Sequence, residues 1–275
     1  MIVYESKSSS SDVKKNLKSI LLNFKNDLYI GYRLARKDIK SNYIKSYFGV
    51  FWDFIEPIAL ATVFIFLHKS HFLNTGDMQI SYAIFVIYGL LMWQIFQDTL
   101  LKSLEILNQS KTLLSQLNVS SEALIMSIVF KMGFNSIFVL AAIIIFSIMM
   151  GEFYLLGMIS FILLFPIVIF MGLGIGLFLA PFHTINSDVG SFIKIVLRAL
   201  FFTSGVLFPL PQEGILRLFC KLNPIAQIFT NMRYLGIGHS VNWLVFGLVG
   251  IGFMLLSLIA SYIFHISLRV LNERI

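Results

Sequence analysis

Six runs of apolar residues, at 51–67, 80–101, 123–150, 153–182, 192–208 and 241–268, constrain this chain more than any other feature. Most approach or exceed the roughly 20 residues with which a helix crosses ~30 Å of hydrocarbon. The first and fifth are shorter and need their flanks. Runs such as LAAIIIFSIMM do not alternate, which excludes the ~10-residue alternating strands of a membrane barrel. Composition agrees: 57% of the 275 residues are hydrophobic and only 13% are charged, about half the charged fraction of a soluble domain. Lipid solvates that much apolar surface, whereas one aqueous core does not bury it. The expected fold is an all-α integral membrane bundle with six transmembrane helices, and a soluble enzyme is excluded.

The single cysteine, Cys220, rules out an intramolecular disulfide framework and any multi-cysteine metal site. Residues 1–48 are polar and basic, with no apolar segment ahead of a small-residue cleavage site, and are expected to stay in the cytoplasm. Nearly half of the 21 Lys and Arg lie there, and the cytoplasmic side is the one enriched in these residues. With six crossings the tail carrying Arg269 and Arg274 is also cytoplasmic, and the loop around Gly151 and Glu152 lies outside. Within 1–48, Val13, Leu17, Ile20, Leu21, Phe24, Leu28, Tyr32, Ala35 and Ile39 recur at helical spacing while Lys14, Lys18 and Lys25 lie off the stripe. This is the pattern of an amphipathic helix on the cytoplasmic leaflet, its cations near anionic head groups. The domain division is therefore 1–48, cytoplasmic, and 49–275, transmembrane.

Residues 209–240 resist that scheme. They should lie outside, yet they contain Arg217, Lys221 and Arg233, and Pro209, Pro211, Gly214, Pro224, Gly236 and Gly238 break them into short pieces. Two readings fit: a re-entrant helical hairpin dipping into the outer leaflet, where irregular backbone needs a protein or water lining, or a surface loop with an amphipathic helix. Elsewhere, Lys131 inside the third run has no partner that sequence can name. Asp53 and Glu56 sit at the start of the first run, where ionisable groups are costly and often functional. Gly172, Gly174 and Gly176 give a GxxxG spacing suited to close helix packing, with no preceding strand to make a nucleotide site. His68 and His71 lack a third ligand nearby and read as a polar loop.

The stretch RKDIKSNYIKSYFGVFWDFIEP, residues 36–57, resembles the entrance motif of permease subunits of ABC-2 type exporters in the polysaccharide and teichoic acid branch. Lys37, Asp38, Tyr43, Ser46, Gly49, Trp52 and Pro57 match; Asn42 stands where an Arg is usual and Phe48 where a Leu is usual. NSDVGSFIKIVLRALFFTSGVLFPLP, residues 186–211, resembles the family's cytoplasmic turn and fifth helix, with Asp188 kept and Ser187 replacing the Arg. LNPIAQIFTNMRYLGIG, residues 222–238, resembles the Leu-Asn-Pro segment and downstream Arg before the last helix, here Asn223, Pro224 and Arg233.

The resemblance implies a half-transporter and the re-entrant hairpin over 209–240. Two copies would form the channel and two copies of a cytoplasmic ABC ATPase would drive it, with ATP and Mg bound by that partner; no cofactor, metal or nucleic acid is expected on this chain. A GxxxxGK[ST] phosphate loop is absent from the sequence. Contact surfaces for the ATPase would be the amphipathic helix and the connection LKSLEILNQSKTLLSQLNVSSEA, residues 101–123. The substrate would be a lipid-linked polysaccharide such as an O-antigen, capsule or teichoic acid, crossing the cytoplasmic (inner) membrane. Sugar rings stack their C–H faces on aromatic side chains, which nominates Tyr47, Phe51 and Trp52 at the inner entrance, and Trp93 and Phe96 near the inner end of the second span, as channel lining. Arg33, Arg36, Lys40 and Lys45 are nominated as first contacts for a lipid diphosphate, through charge-assisted hydrogen bonds. The alternatives are an ABC-2 exporter of a drug or other lipid, and an ion-coupled carrier.

Overall fold

A computed structural model of the chain describes residues 10–44, 52–72, 80–116, 119–210, 217 and 222–272. Nine helices are defined among them: α1 (Ser10–Ile44), α2 (Trp52–Lys69), α3 (Tyr82–Gln116), α4 (Ser121–Met149), α5 (Leu155–Leu164), α6 (Pro166–Ile185), α7 (Asp188–Thr203), α8 (Pro224–Gly236) and α9 (Trp243–Asn272). The described residues contain no strand, as the non-alternating apolar runs require.

Four helical stretches among the described residues are long and apolar enough to cross a membrane: Tyr82–Ser110, Ser121–Met149, Leu155–Ile185 and Trp243–Leu268. The third combines α5 and α6, which part at Pro166, where the ring supplies no N–H and the Phe165 amide turns back to the Ile162 carbonyl at 3.4 Å. The first and fifth runs form shorter helices. α2 has 18 residues, or ~27 Å, and α7 has 16, or ~24 Å, at ~1.5 Å per residue.

α3 is the hub, packing on α6, α4, α2 and α8, and its Tyr88, Leu91, Met92, Ile95 and Phe96 are almost inaccessible. α4 and α9 turn most of their apolar surface outward, with Ile145, Met149, Leu248 and Leu258 among the exposed side chains. Such surface has a solvent only in lipid. Glycine sets how closely α6 approaches its neighbours. A Cβ on Gly172 would lie 2.6 Å from the Phe96 carbonyl oxygen, one on Gly176 would strike the Leu100 carbonyl, and one on Gly174 would lie 3.0 Å from Ser257 N on α9. The GxxxG spacing therefore serves two faces, Gly172 and Gly176 toward α3 and Gly174 toward α9.

α1 packs along the first three turns of α4. Asp27 meets Ser120, the N-cap of α4, and Asp38 Oδ2 lies 3.6 Å from Lys131 Nζ. Both spacings are eleven residues, so the two helices run in the same direction, and between these contacts Gly31 lets the backbones close to where a Cβ would be 2.7 Å from Met126 Cβ. The partner of Lys131 is thus a residue of the 36–57 motif. The connection 101–123 is largely helical: α3 continues to Gln116 and α4 starts at Ser121, making a helical hairpin beside α1. At the base of this hairpin His265 Nδ1 of α9 lies 2.6 Å from Glu122 Oε1 and 2.7 Å from Ser121 Oγ.

Candidate functional site

Helices α2, α3 and α7 leave between them a groove of about 850 Å³. Ile55, Pro57 and Leu60 line it from α2, Leu90, Trp93, Gln94 and Gln97 from α3, and Leu197, Phe201 and Phe202 from α7. Its charged residues are Glu56 of α2, Asp98 of α3, and Lys194 and Arg198 of α7, which precede Phe201 and Phe202 along that helix. Lys194 and Arg198 are one turn apart on α7, and the Asp98 carboxylate is 3.6 Å from Lys102 Nζ. Beyond the charges the wall is aromatic and amide. Trp93 Nε1 donates to Gln97 Oε1 at 2.7 Å, and its ring meets Phe201 edge-on at 5.4 Å between centroids.

The groove therefore offers two basic and two acidic side chains and, beside them, flat rings and amides. Lys194 and Arg198 carry donors suited to charge-assisted hydrogen bonds with an anion, and rings beside amides suit a molecule with C–H faces and hydroxyls. Among the described residues no group of three or more His, Cys, Asp or Glu is placed to hold a metal ion. His68 stacks on Tyr82 at 4.4 Å instead.

The residues nominated from sequence separate into several places. Trp93 borders the groove, but Phe96, fully buried, faces away from it and packs against Trp93 at 5.3 Å and Phe229 at 6.4 Å. Both sit in the middle of α3 because that helix runs twenty residues past Phe96, to Gln116. Pro57 is buried in the groove wall. Arg33, Arg36, Lys37 and Lys40 are exposed on α1, with the Arg33 guanidinium 5.8 Å from the Tyr29 ring centre, while Asp38 turns to Lys131. Asp188 is exposed in the first turn of α7, its amide donating to Asn186 Oδ1 at 2.8 Å. Tyr47, Phe51, Lys45, Ser46 and Gly49 lie outside the described residues, as do the side chains of Tyr43 and Trp52. Lys194 and Arg198 escaped the sequence reading; their i, i+4 spacing in an otherwise apolar helix was the available signal.

Within the segment that resisted a loop assignment, α8 is largely enclosed, with nine of its thirteen residues buried. Asn223 caps α8, accepting from the Ile225 and Ala226 amides, and Pro224 fills the first helical position, where no N–H is needed. Phe229 reaches Trp93 and Phe96, eleven and fourteen residues along α3 from its start, so α8 descends to about the middle of the bundle. Arg233 is 1% exposed; its guanidinium lies over the Phe85 ring at 3.7 Å and donates to the Gly205 carbonyl at 3.0 Å. This basic residue is inside the protein, so it does not count in the loop charges that orient the chain.

A helical bundle with lipid-facing sides and a lateral groove is the architecture of a membrane transport subunit. The chain belongs to the ABC-2 type transporter family, whose description matches residues 32–236. It is 21% identical over 240 residues to an O-antigen export system permease protein RfbA of Klebsiella pneumoniae, covering 84% of this chain and 89% of that protein. It is 22% identical over 213 residues to the O-antigen export system permease protein RfbA of Myxococcus xanthus, covering 75% of this chain and 79% of that protein.

Proposed function

We propose that this chain is the permease half of an ATP-driven exporter that moves a lipid-linked polysaccharide across the cytoplasmic membrane. The observation that carries the reading is the groove between α2, α3 and α7, in which the basic pair Lys194 and Arg198 stands beside rings and amides. The O-antigen export for which the relatives from Klebsiella and Myxococcus are named supports the substrate class. In this reading α1, the hairpin 101–123 and both termini face the cytoplasm. α2 and α7 complete six crossings, and residues 209–240 form a re-entrant hairpin entering from the outer side.

A second copy of the chain closes the open side of the groove. The exposed Phe192, Ile195 and Phe202 of α7 and Val63 and Phe66 of α2 offer apolar surface for that contact. Two copies of a cytoplasmic ABC ATPase, carrying ATP and Mg, dock on α1 and the hairpin, so that hydrolysis is felt as a push on helices continuous with the groove wall. Lys194 and Arg198 receive the phosphates of the lipid carrier after the exposed Arg33, Arg36 and Lys40 have gathered it at the leaflet.

Deletion of the gene followed by complementation tests the assignment. Loss of surface glycan with unchanged drug sensitivity is expected, together with co-purification of the tagged chain and an ATPase subunit. Intact surface glycan in the deletion strain removes the polysaccharide reading, and altered drug sensitivity alone moves the chain to a drug exporter.

A further inference from the structure

Between α7 and the described start of α8, the backbone of residues 204–208 leaves the helix inside the protein: Ser204, Gly205, Val206 and Leu207 are all buried, and Gly205 takes a positive φ of 66°. A carbonyl released from a helix in apolar surroundings needs a new partner. Here three such carbonyls, those of Thr203, Gly205 and Leu207, accept a side-chain donor from outside α7. Asn223 Nδ2 donates to Ser204 Oγ at 2.9 Å and to the Thr203 carbonyl at 3.4 Å. Arg233 donates to the Gly205 carbonyl at 3.0 Å, Tyr82 Oη donates to the Leu207 carbonyl at 3.1 Å, and the Val206 carbonyl lies against Gly89, where no Cβ fits. Arginine suits the position because its guanidinium lies over the Phe85 ring, at 3.7 Å, while one of its N–H groups reaches the carbonyl.

Within one chain, α7 itself buries little of its length. Only Gly190 and Leu197 are buried along its sixteen residues, whereas the turn that follows is enclosed on every side. The helix is one wall of the groove, and within one chain the turn at its far end is its most enclosed attachment.

We infer that Asn223 and Arg233 are positioning residues that clasp the far end of α7 and so set the width of the groove. α8 acts as the anchor, and α7 pivots on the 204–208 turn when the groove widens. This rests on the proposed transport role of the groove, but the clasp itself is measurable without substrate or ATPase.

The test uses the full-length chain in membrane vesicles, with Cys220→Ser and a single reporter cysteine labelled by a maleimide. Leu197→Cys reports α7 lifting from the bundle, and Ser257→Cys, buried between α6 and α9, reports general loosening. Arg233→Met removes the donor to Gly205. Asn223→Asp keeps the oxygen that caps α8 and removes the amide donor that reaches Thr203 and Ser204, so it separates the clasp from the fold of α8. Each change is expected to accelerate labelling at Leu197→Cys by about tenfold, the effect of one lost hydrogen bond of this kind, with labelling at Ser257→Cys unchanged. Unchanged labelling at Leu197→Cys, or equal acceleration at both sites, overturns the clasp. These outcomes leave the polysaccharide reading untouched, because that one stands or falls on surface glycan in the deletion strain.

Discussion

Gly172 holds α6 against α3, and adding a single methyl group there has a calculable effect. The new Cβ would lie 2.6 Å from the Phe96 carbonyl oxygen, 2.8 Å from Thr99 Cβ and 3.0 Å from the Leu100 amide nitrogen. Ordinary contact begins at 3.4 Å, so the nearest approach falls short by about 0.8 Å, and two of the three atoms are backbone that has no rotamer to change. The helices must part, loosening the column of buried side chains on α3 that backs the groove. Overpacking of this kind costs about 1–3 kcal/mol. Alanine also gains up to ~1 kcal/mol of helix propensity over glycine, so the comparison is Gly252→Ala on α9, where nothing lies within 4 Å of the added atom. Both variants share the propensity gain, and their difference isolates the collision. Thermal unfolding in one detergent at one scan rate, followed by tryptophan fluorescence, should put Gly172→Ala below Gly252→Ala by on the order of 2–10 °C. A Gly172→Ala protein that melts with or above Gly252→Ala would refute the close approach of α6 to α3.

Phe229→Ala removes a fully buried ring between Trp93 and Phe96 and is expected to cost about 3–5 kcal/mol, read as a lowered melting midpoint and a shifted Trp93 emission. A double-mutant cycle on Asp38→Asn and Lys131→Met should give a coupling of only ~0.2–1 kcal/mol that shrinks with added salt, because the Asp38 carboxylate is half exposed. Lys194→Gln with Arg198→Gln is expected to lower surface glycan without lowering the amount of the chain in the membrane, as immunoblotting of the same cells would show; the Arg36→Gln and Lys40→Gln pair should have the smaller effect. Trp52→Ala should slow export, measured as glycan appearing at the surface over time, if its ring serves the channel as its place in the entrance motif implies.

The membrane class of this protein was legible in its residues because lipid selects on one property, apolar length, and the runs at 80–101, 123–150, 153–182 and 241–268 each declare it locally. The helix order and the close packing at Gly172 and Gly176 were legible for the same reason: both follow from spacing along one helix. Other features depend on which helices meet, and no local pattern states that. Lys131 looked like an unpaired charge until α1 was laid beside α4 and brought Asp38 to 3.6 Å. Arg233 looked like an exposed loop charge until α8 folded inward and placed it over Phe85. Phe96 and Trp93, three residues apart and alike in sequence, were divided by packing, one into the core and one toward the groove. A chain in lipid satisfies its backbone helix by helix, so its sequence determines the helices; their polar side chains are satisfied only between helices, so the tertiary structure alone decided the clasp, the ion pair and the groove.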